Sequence, residues 1–149
     1  MLRGAHTHTM TLDSITAASM QLEVVASFTM GSKPQSIFGV DVLAAMDGSS
    51  AVSLLVDCSA PAADADCHVV VDATGQGGQR SQGPLLFGAG QAGVVTMHAV
   101  IDHSIIELIV NNRTAIVAYA TPPSDDHTGV RLFGATATPS MDYWLLDGI

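Results

Sequence analysis

The sequence predicts an all-β fold: one domain built as a two-sheet antiparallel β-sandwich of the jelly-roll or concanavalin-like kind. Three observations predict it. Short runs rich in Val, Ile, Leu and Phe recur at near-regular spacing, each bounded by turn-forming Gly, Pro, Asn, Asp or Ser. No stretch carries the apolar stripe of a helix. The 14 acidic residues are nearly all Asp, a residue of turns and strand ends.

Taken in order, residues 1–10 read as an N-terminal tail and residues 11–149 as the sandwich module. The expected strands are 20–30 (MQLEVVASFTM), 36–46 (SIFGVDVLAAM), 51–57 (AVSLLVD), 68–73 (HVVVDA), 83–89 (GPLLFGA), 94–102 (VVTMHAVID), 105–111 (IIELIVN), 114–121 (TAIVAYAT), 129–136 (GVRLFGAT) and 141–149 (MDYWLLDGI). The segment VDVLAAMD has weak helical character but reads as strand, because a turn-forming Asp-Gly follows it. DGSS at 47–50 and NNR at 111–113 are hairpin turns. TGQGGQRSQG at 74–83 reads as a flexible loop, and TPPSDDHTG at 121–129 as a loop stiffened by Pro122 and Pro123.

Bulk composition excludes several classes. With 48% hydrophobic and 13% charged residues the chain is a globular one, not a disordered one. Five Lys and Arg against 14 acids give a net charge of −9, too little basic surface for a nucleic-acid partner. No apolar run approaches the roughly 20 residues of a membrane-spanning helix. The start, MLRGAHTHTMTLDS, lacks the apolar region of a secretory signal peptide. The compartment is therefore cytoplasmic for a chain that starts here. For a fragment of a longer precursor it is secreted, vacuolar or cell-wall.

Two acids sit inside an otherwise β-branched stretch, VIDHSIIELIVNNRTAIVAYA at 100–120: Asp102 and Glu107. Three readings stand: a catalytic pair, a sugar site, or a structural polar network. Separation by five places the two on opposite faces of a straight strand, though a bend at His103-Ser104 changes that. In the structural reading Asp102 accepts from backbone N–H groups or the Ser104 hydroxyl, and Glu107 takes Arg113 or Arg131 as its donor. Cys58 and Cys67 flank a small polar turn between two expected strands, so either a disulfide or two reduced thiols fits. The six histidines show no metal-ligand spacing, and no cofactor is implied. His6 and His8 read as solvated tail residues. Asn112 opens an Asn-Arg-Thr glycosylation sequon in an exposed turn. GAGQAG at 88–93 has no following helix and is not a nucleotide loop. In YWLL, Trp144 reads as core and Tyr143 as its more exposed neighbour.

The same stretch, continued to VIDHSIIELIVNNRTAIVAYATPP, resembles the signature of the C-terminal β-sandwich domain of glycoside hydrolase family 32. That family holds invertases, fructanases and related β-fructofuranosidases. The matching positions are Asp102, Ser104, Glu107, Asn111 or Asn112, and Pro122. LEVVASF is similar to the family's opening strand, HVVVDATGQGG to a strand ending in Asp (here Asp72), and VRLFGAT and YWLLDGI to its closing strands. Ala73 and His103 stand where the family often has Arg. The family's chemistry lies on a separate five-bladed propeller, whose Asp-Pro and Glu-Cys motifs this chain lacks. The resemblance thus implies a non-catalytic module, inactive alone, that packs on and stabilises a propeller in cis or in trans. It also implies two other roles, a stand-alone lectin-like binder of fructose-containing saccharides or a fragment of an intact sucrose- or fructan-hydrolysing enzyme. Asp72, Asp102 and Glu107 are the sugar-binding candidates it suggests.

Overall fold

The computed structural model describes residues 3–9, 14–16, 19–30, 37–59, 67–90, 93–134 and 139–146. The described strands are β1 (Arg3–Thr9), β2 (Ser14–Thr16), β3 (Gln21–Thr29), β4 (Ile37–Ala44), β5 (Val52–Asp57), β6 (His68–Asp72), β7 (Arg80–Pro84), β8 (Val94–Asp102), β9 (Ile105–Val110), β10 (Thr114–Tyr119), β11 (Gly129–Phe133) and β12 (Ser140–Leu145). A short 3-10 turn spans Thr74–Gln76. The first sheet runs β1-β12-β3-β8-β9-β10 and the second β2-β11-β4-β5-β6-β7. The described pairings are antiparallel, so the chain is the two-sheet sandwich its periodicity predicts.

Alternation in the sequence builds the core. Along β3, Leu22, Val24, Ala26 and Phe28 turn inward; along β8 it is Val95, Met97, Ala99 and Ile101; along β9, Ile106, Leu108 and Val110. They meet Phe38, Val40, Leu54, Val56, Val69, Val71 and Leu132 of the second sheet. The Phe28 and Phe38 rings link the two layers with centroids 5.1 Å apart. Side chains of this kind gain about 1.5–3 kcal/mol each on full burial, which makes this interface the main source of stability.

Turns fix the register. His103, with φ 53°, is the first of two residues joining β8 to β9, a conformation that matches the strand twist. Asn111 and Asn112, both with φ 54°, open the link from β9 to β10; Asn tolerates the left-handed region better than other side chains do. Asp47 accepts the Ser49 N–H at 2.9 Å in the turn between β4 and β5. Between β5 and β6, Cys58 and Cys67 are joined in a disulfide with Cα atoms 4.4 Å apart.

Three expectations change. Residues 1–10, read as a tail, contain β1, which pairs with β12. Its sequence, RGAHTHT, lacks large apolar side chains, so no hydrophobic period announces it. The short β2, which pairs with β11, went unread for want of length. The strand expected at 83–89 lies instead at Arg80–Pro84, inside the expected loop. It is an edge strand of the second sheet, solvated enough to need no apolar run. The rest of that loop is pinned. Gln76 and Gly78 donate their N–H groups to Ala73 O, Thr121 N–H donates to Gln76 O at 2.7 Å, and the Gln76 amide donates to Leu43 O at 2.6 Å. Among the described residues no helix is long and apolar enough to cross a membrane.

Candidate functional site

Antiparallel register decides which side chains share a face. Asp102 lies opposite Ile105, and Glu107 opposite Val100 on one side and Val117 on the other. The turn at His103-Ser104 thus puts both acids on the outer face of the first sheet, diagonal to each other at roughly 7–8 Å by sheet geometry. Asp72 lies on β6 in the second sheet, so the three sugar-binding candidates do not converge.

Each acid has a different setting. Asp102 accepts from the Gln21 amide at 2.8 Å and shares a 2.9 Å hydrogen bond with His103 Nδ1. His103 first and Gln21 second hold its carboxyl below the usual carboxylate range. The expected bond from Ser104 is absent among the described contacts; His103 of the turn and Gln21 of β3 take its place. Glu107 takes neither expected donor. Arg113 stands at the next turn, and Arg131 belongs to the second sheet, where it holds buried Asp41 at 2.5 Å while Ser53 donates to the same carboxylate at 2.7 Å. Among the described residues nothing hydrogen-bonds or ion-pairs with Glu107. Asp72 accepts from the Thr74 hydroxyl and N–H and pairs with Arg80 at 3.2 Å; these partners, Thr74 first, keep its carboxyl below its ordinary range.

A glycosidase pair needs an acid whose pKa is raised and a sugar held between the two carboxyls. Asp102 is shifted the other way, and both acids stand exposed on an open sheet face. His127 is the other group with a catalytic look: Nε2 lies 3.1 Å from Ser50 Oγ and Nδ1 3.0 Å from Ser124 Oγ. These bonds tie the 121–129 loop to the 45–50 turn. Asp47, which lines the adjoining groove, would repel a developing oxyanion. Among the described residues there is no cluster of three or more His, Cys, Asp or Glu fit to hold a metal.

What does converge is apolar. Of the nine large apolar side chains exposed among the described residues, Val94, Ile105, Ile109, Val117 and Tyr119 all stand on the outer face of β8, β9 and β10. Four of them surround Glu107: Ile105 and Ile109 along its own strand, Val117 across and Tyr119 diagonal to it; Val94 lies further along β8, beyond Ile109. His98, bonded to Glu23 at 2.6 Å, closes one side, and Asp102 with Gln21 closes another. The outer face of the second sheet is different: Asp41, Arg131 and Ser53 satisfy each other there, as do Asp72, Arg80 and Asp57.

Three further side chains differ from expectation. Tyr143 packs against the core, and Trp144 lies on the outward side of β12 opposite Glu23, the reverse of the expected order. The strand phase is set by Met141, which is buried, so residue 143 turns inward with it. Asn111 is buried: its side chain accepts the Thr96 N–H at 2.9 Å and donates to Leu86 O at 3.0 Å. Asn112 is exposed, while the hydroxyl of Thr114 in its sequon is buried and donates to Pro84 O.

Residues 2–144 match the family described as glycosyl hydrolases family 32 C terminal. The fold is similar to part of an exo-inulinase from Aspergillus awamori, with 18% identity and a TM-score of 0.74 over 99% of this chain and 29% of that one. It is also similar to part of fructan 1-exohydrolase IIa from Cichorium intybus, with 12% identity and a TM-score of 0.76 over 99% of this chain and 36% of that one. A sucrose-6-phosphate hydrolase from Lactobacillus gasseri matches with 13% identity and a TM-score of 0.71, over 98% and 28% respectively. No curated protein matches by sequence. The chain therefore spans about a third or less of each of these solved structures.

Proposed function

The chain belongs to the family of C-terminal domains of family 32 glycosyl hydrolases, and on that premise we propose that it is the non-catalytic β-sandwich module of a β-fructofuranosidase-like enzyme, docked on the catalytic domain through the outer face of β8, β9 and β10. The observation that carries this reading is the apolar strip around Glu107. Side chains exposed to about half their surface regain about 1 kcal/mol each when covered, before the cost of association. A carboxylate at the centre of such a strip favours a partner that brings a cation, since burying it unpaired costs several kcal/mol. The chain's own arginines on the second sheet, Arg80 and Arg131, are already engaged with Asp57, Asp72 and Asp41. Arg113, at the next turn, makes no bond to Glu107 among the described contacts, and we place the missing cation on the partner: an Arg or Lys of the catalytic domain, set among apolar residues. The solved relatives are about three times as long as this chain, which leaves a large second body in each of them to cover such a face. A domain joined ahead of this chain enters at β1, a strand of the same sheet. A glycan on Asn112 would stand at the rim of the face, beside Ile109 and Val94.

The test is to express the chain with a family 32 catalytic domain from the same genome, on one polypeptide or two, and follow complex formation by size exclusion with light scattering. The expected result is a 1:1 assembly that Glu107→Lys and Val117→Asp each weaken at least about tenfold. An assembly indifferent to both substitutions would place the docking face elsewhere, and no assembly at all would remove the docking role.

A further inference from the structure

The chain holds two asparagines, and they are neighbours: Asn111 and Asn112. The fold gives them opposite tasks. Asn111 is buried and spent on structure, its side chain accepting the Thr96 N–H and donating to Leu86 O. Asn112 is exposed, and among the described hydrogen bonds none engages its side-chain amide. Only Asn112 heads an Asn-x-Thr triplet, since the residue two after Asn111 is Arg113. The structural asparagine and the one that can accept a modification are thus separate residues.

The third residue of the triplet has a different setting. Thr114 is buried, and its hydroxyl donates to Pro84 O at 2.5 Å. Pro84 ends β7 in the second sheet, whereas Thr114 opens β10 in the first, so this bond forms only when the two sheets close. Packing agrees: a Cβ on Gly83 would come within 3.0 Å of Thr114 Cγ2. Asn112 itself is held at φ 54° in a turn closed by Arg113 N–H to Val110 O at 3.0 Å. A transferase that reads the Asn amide and the Thr hydroxyl together finds both in the open chain. In the folded chain it meets the amide while the hydroxyl is hidden.

A second covalent mark belongs to the same setting. Cys58, buried in the core, is joined to Cys67, which packs partly against it. Disulfides form and persist where a compartment oxidises thiols, as on the secretory route, and Asn-linked glycans are marks of secreted proteins. Of the compartments the sequence leaves open, both marks fit the secretory one.

We propose that Asn112 is an N-glycosylation site, modified before the sandwich closes. The donor is an oligosaccharide carried on a lipid diphosphate. The Asn112 amide nitrogen bonds to the anomeric carbon, and the bond from that carbon to the diphosphate oxygen breaks. The electron pair leaves with the lipid diphosphate, which takes up one amide proton. Closure of the sheets then buries the Thr114 hydroxyl on Pro84 O and ends the window for transfer. Asn112 lies past the last residue of β9, at the rim of the apolar strip and not within it, so the proposal does not rest on the docking role.

The test expresses the full chain behind a secretory leader in a eukaryotic host and reads intact mass and peptide maps of the leader-processed product. The expected result is a single glycan, at Asn112, on about half of the chains or more, and none on Asn112→Asp, a variant that still tolerates the left-handed turn. In a second arm the folded, disulfide-bonded chain and the reduced, unfolded chain are each offered to the isolated transferase with its lipid-linked donor. Transfer should favour the unfolded chain at least about tenfold, because opening of the seam around Thr114 is rare in the folded one. Processed chain without a glycan, or a glycan that survives Asn112→Asp, overturns the site. Equal transfer to folded and unfolded chains overturns the order of events.

Discussion

Replacing Asn111 by Ala should be the most damaging single change at the turns of this fold. Three effects add. The residue has φ 54°, where a side chain with Cβ but no local hydrogen bond is strained by about 1 kcal/mol. The Thr96 N–H, which now donates to Asn111 Oδ1 at 2.9 Å in a partly buried place, loses its acceptor at about 1–2 kcal/mol. The Leu86 carbonyl loses a 3.0 Å donor, but Leu86 is exposed and water replaces it at about 0.5 kcal/mol. The sum is about 3 kcal/mol, or about 6–12 °C in melting temperature for a chain of this size. Asn111→Gly keeps the turn geometry and loses only the side-chain bonds, so it should be about 1 kcal/mol milder. Urea unfolding monitored by tryptophan fluorescence and circular dichroism measures both, at constant m-value. A loss under about 0.5 kcal/mol for Asn111→Ala, or a Gly variant weaker than the Ala one, would refute the reasoning.

Other outcomes follow from the same contacts. Removing the disulfide with Cys58→Ala and Cys67→Ala opens a loop whose cysteines are nine residues apart in sequence, which should cost about 2–3 kcal/mol in equilibrium unfolding. Asp41→Ala removes a buried carboxylate that accepts from Ser53 and from Arg131, whose own side chain is 41% exposed and keeps water, and should cost about 1.5–3 kcal/mol in the same measurement. Because Asp72 has its carboxyl held down in the folded state, its stabilisation is present above the unfolded value near 4 and vanishes as pH falls through the folded one. Thr74→Ala should therefore be less stable than the parent at neutral pH, and the gap should narrow as pH falls below about 4; a gap that does not change with pH contradicts this assignment.

Much of the fold was legible because it rests on alternation. HAVID, IIELIV and TAIVAY each state which residues turn inward, and ten apolar runs between turn residues state the architecture. Where alternation fails, the reading failed. β1 is polar at most positions, and β7 is an edge strand of Arg, Ser, Gln, Gly and Pro. The site was legible in part. Period-2 counting along TAIVAY places Val117 and Tyr119 on one face, and it would have found the apolar strip had the hairpin register been fixed. The faces of Asp102 and Glu107 depended on one two-residue turn, and a turn of another length would have reversed one of them. Partner choice was not legible. Arg113 or Arg131 was expected at Glu107, and Arg131 sits on Asp41, a single Asp inside SIFGVDVLAAM whose place in an apolar run was the available sign.

The proposed role of this module is to dock on a catalytic domain through the face around Glu107. The most direct measurement is the dissociation constant between the chain and a family 32 catalytic domain from the same genome, for the parent and for Val117→Asp. A 1:1 complex that the substitution weakens at least about tenfold, with the folded state of the variant intact, is the predicted result. A constant unchanged by the substitution would contradict it.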